Sequence, residues 1–176
     1  ANEFGKSTFF DALHALFFSA DAVYRPHNNP LFERFMTRAR GRNFGVAIDR
    51  YDLRGAVRQL KAGRMVWYSP DQDFGRDVSV FAPLFGQQAA TIRLTAKLAR
   101  MTGASVVPMM FHRNPDNTTY TIESLPALEG FPSGDEVADA TRVNQFIELA
   151  IRKHPEQYLW LHRRFKTRPE GEPSVY

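Results

Sequence analysis

Short apolar runs alternate with stretches of helical period along this chain, and that alternation limits its fold more than any other feature. Phe44 to Ile48, Met65 to Tyr68 and Ser105 to Phe111 read as strands, the second of them ending at Pro70. Helical period appears over Thr8 to Ala22, with Phe10, Leu13, Phe17 and Ala20 on one face, and over Leu31 to Arg40. In the latter, Leu31, Phe35 and Met36 point one way while Arg34, Arg38 and Arg40 face solvent. Asp52 to Ala62 carries Leu53, Val57 and Leu60 on a core stripe and stops at Gly63; Thr91 to Met101 turns Leu94, Leu98 and Met101 inward and is followed by Gly103. Tyr120 to Glu123 pairs with the preceding strand across the turn Asn114 to Asn117. The longest helix, Asp135 to Lys153, carries Val143, Phe146, Ile147, Ala150 and Ile151. The expected fold class is α/β, a layered mixed sheet flanked by helices, built as a single domain over residues 1–176.

Composition narrows the chemistry. The absence of cysteine excludes disulfides, thiolate metal sites and cysteine nucleophiles. No run approaches the roughly eighteen consecutive apolar residues of a spanning helix; the longest candidate, Phe9 to Val23, is interrupted by Asp11, His14 and Asp21. No basic region leads into an apolar run and a small-residue cleavage site, so no signal peptide is expected. The 15 phenylalanines suit either a large core or an acyl-chain pocket. A net charge of +4 favours an anionic partner, whether nucleic acid, anionic lipid or a phosphorylated acceptor.

Charge is concentrated in one place. The run Pro155 to Pro169 sets Tyr158, Trp160 and Phe165 against Arg163, Arg164, Lys166 and Arg168. Aromatic rings can anchor such a segment while its cations meet phosphates; an amphipathic terminal helix with a solvated tail is the plainer alternative. Two further blocks stand out, Tyr24-Arg25-Pro26-His27-Asn28-Asn29-Pro30-Leu31 and Val66-Trp67-Tyr68-Ser69-Pro70-Asp71-Gln72-Asp73-Phe74-Gly75. In that order, the three blocks resemble the lipid A biosynthesis acyltransferases, the late lauroyl and myristoyl transferases of Gram-negative bacteria. The resemblance runs from about Val23 onward and matches residues 1–22 poorly.

The resemblance implies a glycerolipid acyltransferase-like fold whose N-terminal part is missing. The implied reaction moves an acyl chain from acyl-acyl carrier protein to a Kdo-bearing lipid A precursor at the cytoplasmic face of the inner membrane. This chain, lacking the membrane anchor usual in the family, would be peripheral there. No cofactor, metal or nucleic acid is expected. Pro70-Asp71 looks like the superfamily block that shapes the acceptor site, with Asp for the commoner Glu and without the usual Gly-Thr. Asp71 and Asp73 would project to one side of an extended segment, or simply form a turn after the proline. Asp49-Arg50 looks like the block whose arginine holds an acceptor phosphate, although an arginine paired with Asp49 or Asp52 explains it too. Arg25, its backbone restrained by Pro26, is either a third substrate-binding cation or a surface residue between helices. The resemblance thus implies Arg25, Arg50, Asp71 and Asp73 at the substrate, around one cleft, and Arg163, Arg164, Lys166 and Arg168 at phosphates or membrane. Val106-Val107-Pro108-Met109 is similar to a strand lining the acyl pocket, and core packing accounts for it equally.

One element of the family pattern is not found. Acyl transfer to a hydroxyl needs a base, which in this superfamily is the histidine of a His-x4-Asp/Glu pair. None of His14, His27, His112, His154 and His162 has a carboxylate five positions later. The expectation is that the catalytic pair lies upstream or is lost, and that the chain is a fragment or truncated relative of the family. Two other function classes remain: a catalytically silent domain binding anionic lipid, and a basic nucleic-acid-binding protein whose aromatic and cationic terminus tracks a backbone.

Overall fold

The computed structural model describes residues 21–24, 26, 28–43, 47–49 and 52–176. The chain divides into two compact units, residues 1–68 and 69–176. Arg25, Arg50, His14 and His27 lie outside the described residues, as does the helix expected over Thr8 to Ala22 apart from its last two positions. Those two, Asp21 and Ala22, are strand rather than helix.

In the first unit three short strands, β1 (Asp21–Tyr24), β2 (Ala47–Asp49) and β3 (Val66–Trp67), form a parallel sheet in the order β2-β1-β3. The crossovers are α1 (Pro30–Asn43) and α2 (Leu53–Lys61), as parallel neighbours require. Asn29 starts α1 by accepting from the amides of Leu31 and Phe32, at 3.0 and 3.2 Å, with Pro30 at the first helical position. Asp52 caps α2 through the Gly55 amide at 2.8 Å, and a Cβ at Gly55 would lie 2.3 Å from Asp52 Oδ2, so the glycine makes room for the cap. The expected apolar face of α1 is not buried: Leu31 and Phe35 are 77% and 66% exposed. Helical period selects a face of a helix without supplying the layer that covers it. Asp21, wholly buried at the start of the central strand, is held by Arg64, whose Nε and a terminal nitrogen donate to its two oxygens at 2.8 and 3.0 Å.

In the second unit β4 (Ser79–Leu84) and β5 (Gln87–Ile92) form an antiparallel hairpin. Its two-residue turn, Phe85-Gly86, has positive φ at both positions, 50° and 74°, as the tight hairpin turn of the I′ class demands. Because β5 extends to Ile92, the helix expected from Thr91 begins later, as α3 (Leu94–Thr102), and ends at Gly103 in the left-handed conformation with φ 71°. Leu98 faces the core as expected, whereas Met101 is 46% exposed. The long helix α4 (Glu136–Lys153) packs on β4 and β5, where Ala82, Ala89 and Ala90 are fully buried and leave room for Ala140, Val143 and Ile151. Leu84 closes this core at 1% exposure, a burial worth about 1.5–3 kcal/mol.

A second hairpin pairs β6 (Met109–Arg113) with β7 (Tyr120–Ser124), Phe111 facing Ile122, across the expected polar turn. The strand starts later than Ser105 because Pro108 has no amide to give to a ladder, although its carbonyl still accepts from Leu125 N at 3.0 Å. Beyond α4, Pro155 prevents helical continuation. The terminal segment is therefore not an amphipathic helix but two 3-10 turns, Pro155–Gln157 and Trp160–His162, closed by Arg163 at φ 50°. The class is α/β. Among the described residues, parallel and antiparallel pairings occupy three separate small sheets rather than one mixed sheet.

Candidate functional site

Within the second unit the loop that carries Asp71 and Asp73 is tied to the terminal basic segment. Asp73 is 6% exposed, and its carboxylate accepts from the Gly75 amide and from both the amide and hydroxyl of Thr167, each at 2.9 Å. Three donors on one carboxylate leave little room for a substrate proton, so this side chain fixes the segment in place. Asp71 differs. It is half-buried, accepts from the Ser69 hydroxyl, and its backbone carbonyl accepts from the Tyr158 hydroxyl at 3.3 Å. Burial, with Asp71 beside it, pushes the Tyr158 phenol well above its ordinary range, so this hydroxyl acts as a neutral donor.

The four cations of the terminal run have different fates. Arg164 is 2% exposed and donates to the Ala90 carbonyl at 2.7 Å and to the Thr91 hydroxyl at 3.1 Å. Burial lowers its pKa, opposed by Tyr158, Asp73 and Asp71, so both carboxylates of the loop favour its charged form. Thr91 passes the network to Asn144 of α4, whose amide also donates to the carbonyls of Ala82 and Pro83 at 3.3 and 3.1 Å. Arg168 is half-buried, donating to the Gln88 carbonyl at 2.6 Å and pairing with Glu172. Arg163 and Lys166 are exposed, and the turn bond from Lys166 N to Arg163 O, 3.1 Å, keeps them close. Two of the four candidate phosphate contacts thus hold the chain's own oxygens, and two face solvent. Sequence reasoning missed Ser69, Thr91, Asn144 and Thr167. Only Asn144 gave a signal, as an amide set within the apolar stripe of a helix beside Val143 and Ile147.

In the first unit, the parallel register places Tyr24 opposite Asp49 at the carboxyl ends of β1 and β2. Ligands of α/β sheets gather beyond such ends. Of the strand thought to line an acyl pocket, Val106, Pro108 and Met109 are half-buried and Val107 is 48% exposed. Among the described residues no three metal-ligating side chains converge, and no helix is long and apolar enough to cross a membrane.

Comparison with known proteins places this sequence in a family. The family model for bacterial lipid A biosynthesis acyltransferases matches residues 19–167, a span that includes Asp71, Asp73, Arg163, Arg164 and Lys166. The chain is 48% identical over 155 residues to the lipid A biosynthesis lauroyltransferase of Escherichia coli, covering 88% of this chain and 51% of that protein. It is 47% identical over 156 residues to the lipid A biosynthesis palmitoleoyltransferase of the same organism, with the same coverage of 88% and 51%. A lipid A biosynthesis acyltransferase of Haemophilus influenzae is 40% identical over 157 residues, 88% of this chain and 50% of its own length. The chain spans about half the length of these curated relatives. With three blocks in order, a buried network joining two of them, and a family match over most of its residues, this chain belongs to the bacterial lipid A biosynthesis acyltransferase family.

Proposed function

We propose that this chain forms the acceptor-binding and acyl-pocket part of an enzyme that transfers an acyl chain from acyl-acyl carrier protein to a hydroxyacyl chain of a Kdo-bearing lipid A precursor. The observation that carries this reading is the 48% identity to a lipid A lauroyltransferase, maintained over 155 residues. In the reaction the acceptor hydroxyl oxygen attacks the thioester carbonyl, an ester forms, the thiolate leaves, and the hydroxyl proton passes through a base to the thiolate. No histidine of this chain is assigned as that base. Asp71 is the loop carboxylate suited to accept from a sugar or acyl-chain hydroxyl, because Asp73 is engaged by Thr167 and Gly75. Arg25 and Arg50 follow the strand ends Tyr24 and Asp49 in the sequence and are proposed for the acceptor phosphates, which a guanidinium grips through two parallel bonds. The glycerolipid acyltransferase-like layering, and a peripheral position on the cytoplasmic face of the inner membrane, belong to the same proposal, with Arg163 and Lys166 as the exposed cations that meet phosphate.

The test is a chimera in which this chain replaces the matched half of the Escherichia coli lauroyltransferase. The purified chimera should transfer a lauroyl group from acyl carrier protein to the precursor, and Asp71→Ala should lower kcat/KM about tenfold, mainly through KM. A folded chimera that binds the precursor without transfer contradicts the enzymatic reading and favours a silent lipid-binding domain.

A further inference from the structure

The tip of the β4–β5 hairpin meets the end of α4 and the terminal turns that follow it at one apolar knob of the second unit. Phe85, at the tip of the β4–β5 hairpin, lies 6.3 Å from Trp160 between ring centroids, and the Arg152 guanidinium of α4 lies 5.1 Å over the Phe85 ring. Tyr158 braces Trp160 edge-on at 5.0 Å, and the indole nitrogen donates to the Pro155 carbonyl at 2.8 Å. The knob is thus held rigidly from behind. Its outer face is not covered: Trp160 is 52% exposed, and Leu161, next to it, is 89% exposed.

We infer that Trp160 and Leu161, backed by the half-buried Phe85, form a wedge that inserts into an anionic lipid surface, with Arg163 and Lys166 on the lipid phosphates. The inference rests on the proposed function, whose acceptor is a lipid, and identifies the face presented to the bilayer. Charge complementarity carries it. Arg163, which lies 5.9 Å over the Tyr176 ring, and Lys166 are exposed, and neither is in an ion pair among the described residues; of the acids in the terminal segment, Glu172 is paired with Arg168, Glu156 lies 3.6 Å from His154, and Glu170 is exposed, so the segment stays net cationic. Size argues against a protein as the occupant. The two exposed side chains offer no more than about 300 Å², well short of the roughly 800 Å² per partner of a stable protein interface. A shallow headgroup layer makes no such demand, and an aromatic ring beside an aliphatic tip suits its boundary.

The test uses the whole chain with Trp67→Phe, which leaves Trp160 the single tryptophan. Vesicles of phosphatidylcholine and phosphatidylglycerol in equal parts, carrying brominated acyl chains, should quench Trp160 emission at low salt. Phosphatidylcholine alone should quench it less. Leu161→Asp should weaken partitioning about tenfold or more, while Met101→Asp, on the exposed side of α3, should leave it unchanged. Absence of quenching overturns the inference, as does equal quenching in Leu161→Asp or a Trp160 response to acidic acyl carrier protein and not to vesicles. The assay needs no turnover. Quenching without acyl transfer by the chimera therefore contradicts the functional reading alone, and transfer without quenching contradicts the wedge alone.

Discussion

Arg164 shows why a run of four cations is not one surface. Its guanidinium is buried against Ala90 and Thr91, while Arg163, one residue earlier, turns out to solvent in the left-handed conformation. Removing this donor leaves the buried Ala90 carbonyl and Thr91 hydroxyl without it, at a cost of about 1–3 kcal/mol for each group left unsatisfied. Arg164→Met is therefore expected to lower unfolding free energy by about 3 kcal/mol in denaturant titration, whereas Arg163→Gln and Lys166→Gln should each change it by less than about 0.5 kcal/mol. Equal effects at all three positions would contradict the assignment. Asp73→Ala should also destabilise, by about 2 kcal/mol, because the Thr167 amide and hydroxyl lose their acceptor. The concentration of charge was legible in the sequence, but the choice of which cation turns inward was not. That choice depends on carbonyls of a strand more than seventy positions away in the sequence, Ala90 to Arg164.

At the scale of elements, the polar turn Asn114 to Asn117 was legible because its side chains satisfy their own backbone. Asp116 accepts from the Thr119 hydroxyl and from the amides of Thr119 and Thr118, which hold its pKa at about 2, below the ordinary 3.8. A depressed carboxyl pKa stabilises the folded hairpin fully above the ordinary value, and that contribution disappears as pH falls from about 3.8 through about 2. The Thr118 and Thr119 amide resonances should accordingly titrate with a midpoint near 2, and a midpoint near 3.8 would show the turn bonds absent in solution. Asp135 caps α4 through the amides of Val137 and Ala138, at 2.9 and 3.0 Å. Asp135→Ala should cost about 1 kcal/mol in thermal or chemical denaturation. Caps and helical period made α2, α3 and α4 readable. The β4–β5 hairpin escaped, because Gln87, Gln88, Ala89 and Ala90 favour helix locally and become strand only through packing under α4.

At the scale of the molecule, the family was legible because three long blocks occur in order, and a coincidence of that length is far rarer than any short catalytic pattern. The layout of small sheets was less legible, since apolar runs signal strands without naming their partners. The central claim is that these residues build the acceptor-side body of a lipid A acyltransferase. Its most direct measurement is the mass of lipid A from cells that lack their own lauroyltransferase and express the chimera containing this chain. Lipid A heavier by one secondary acyl chain is the result the account predicts. Unchanged lipid A, in cells where the chimera accumulates as a folded protein, would contradict it.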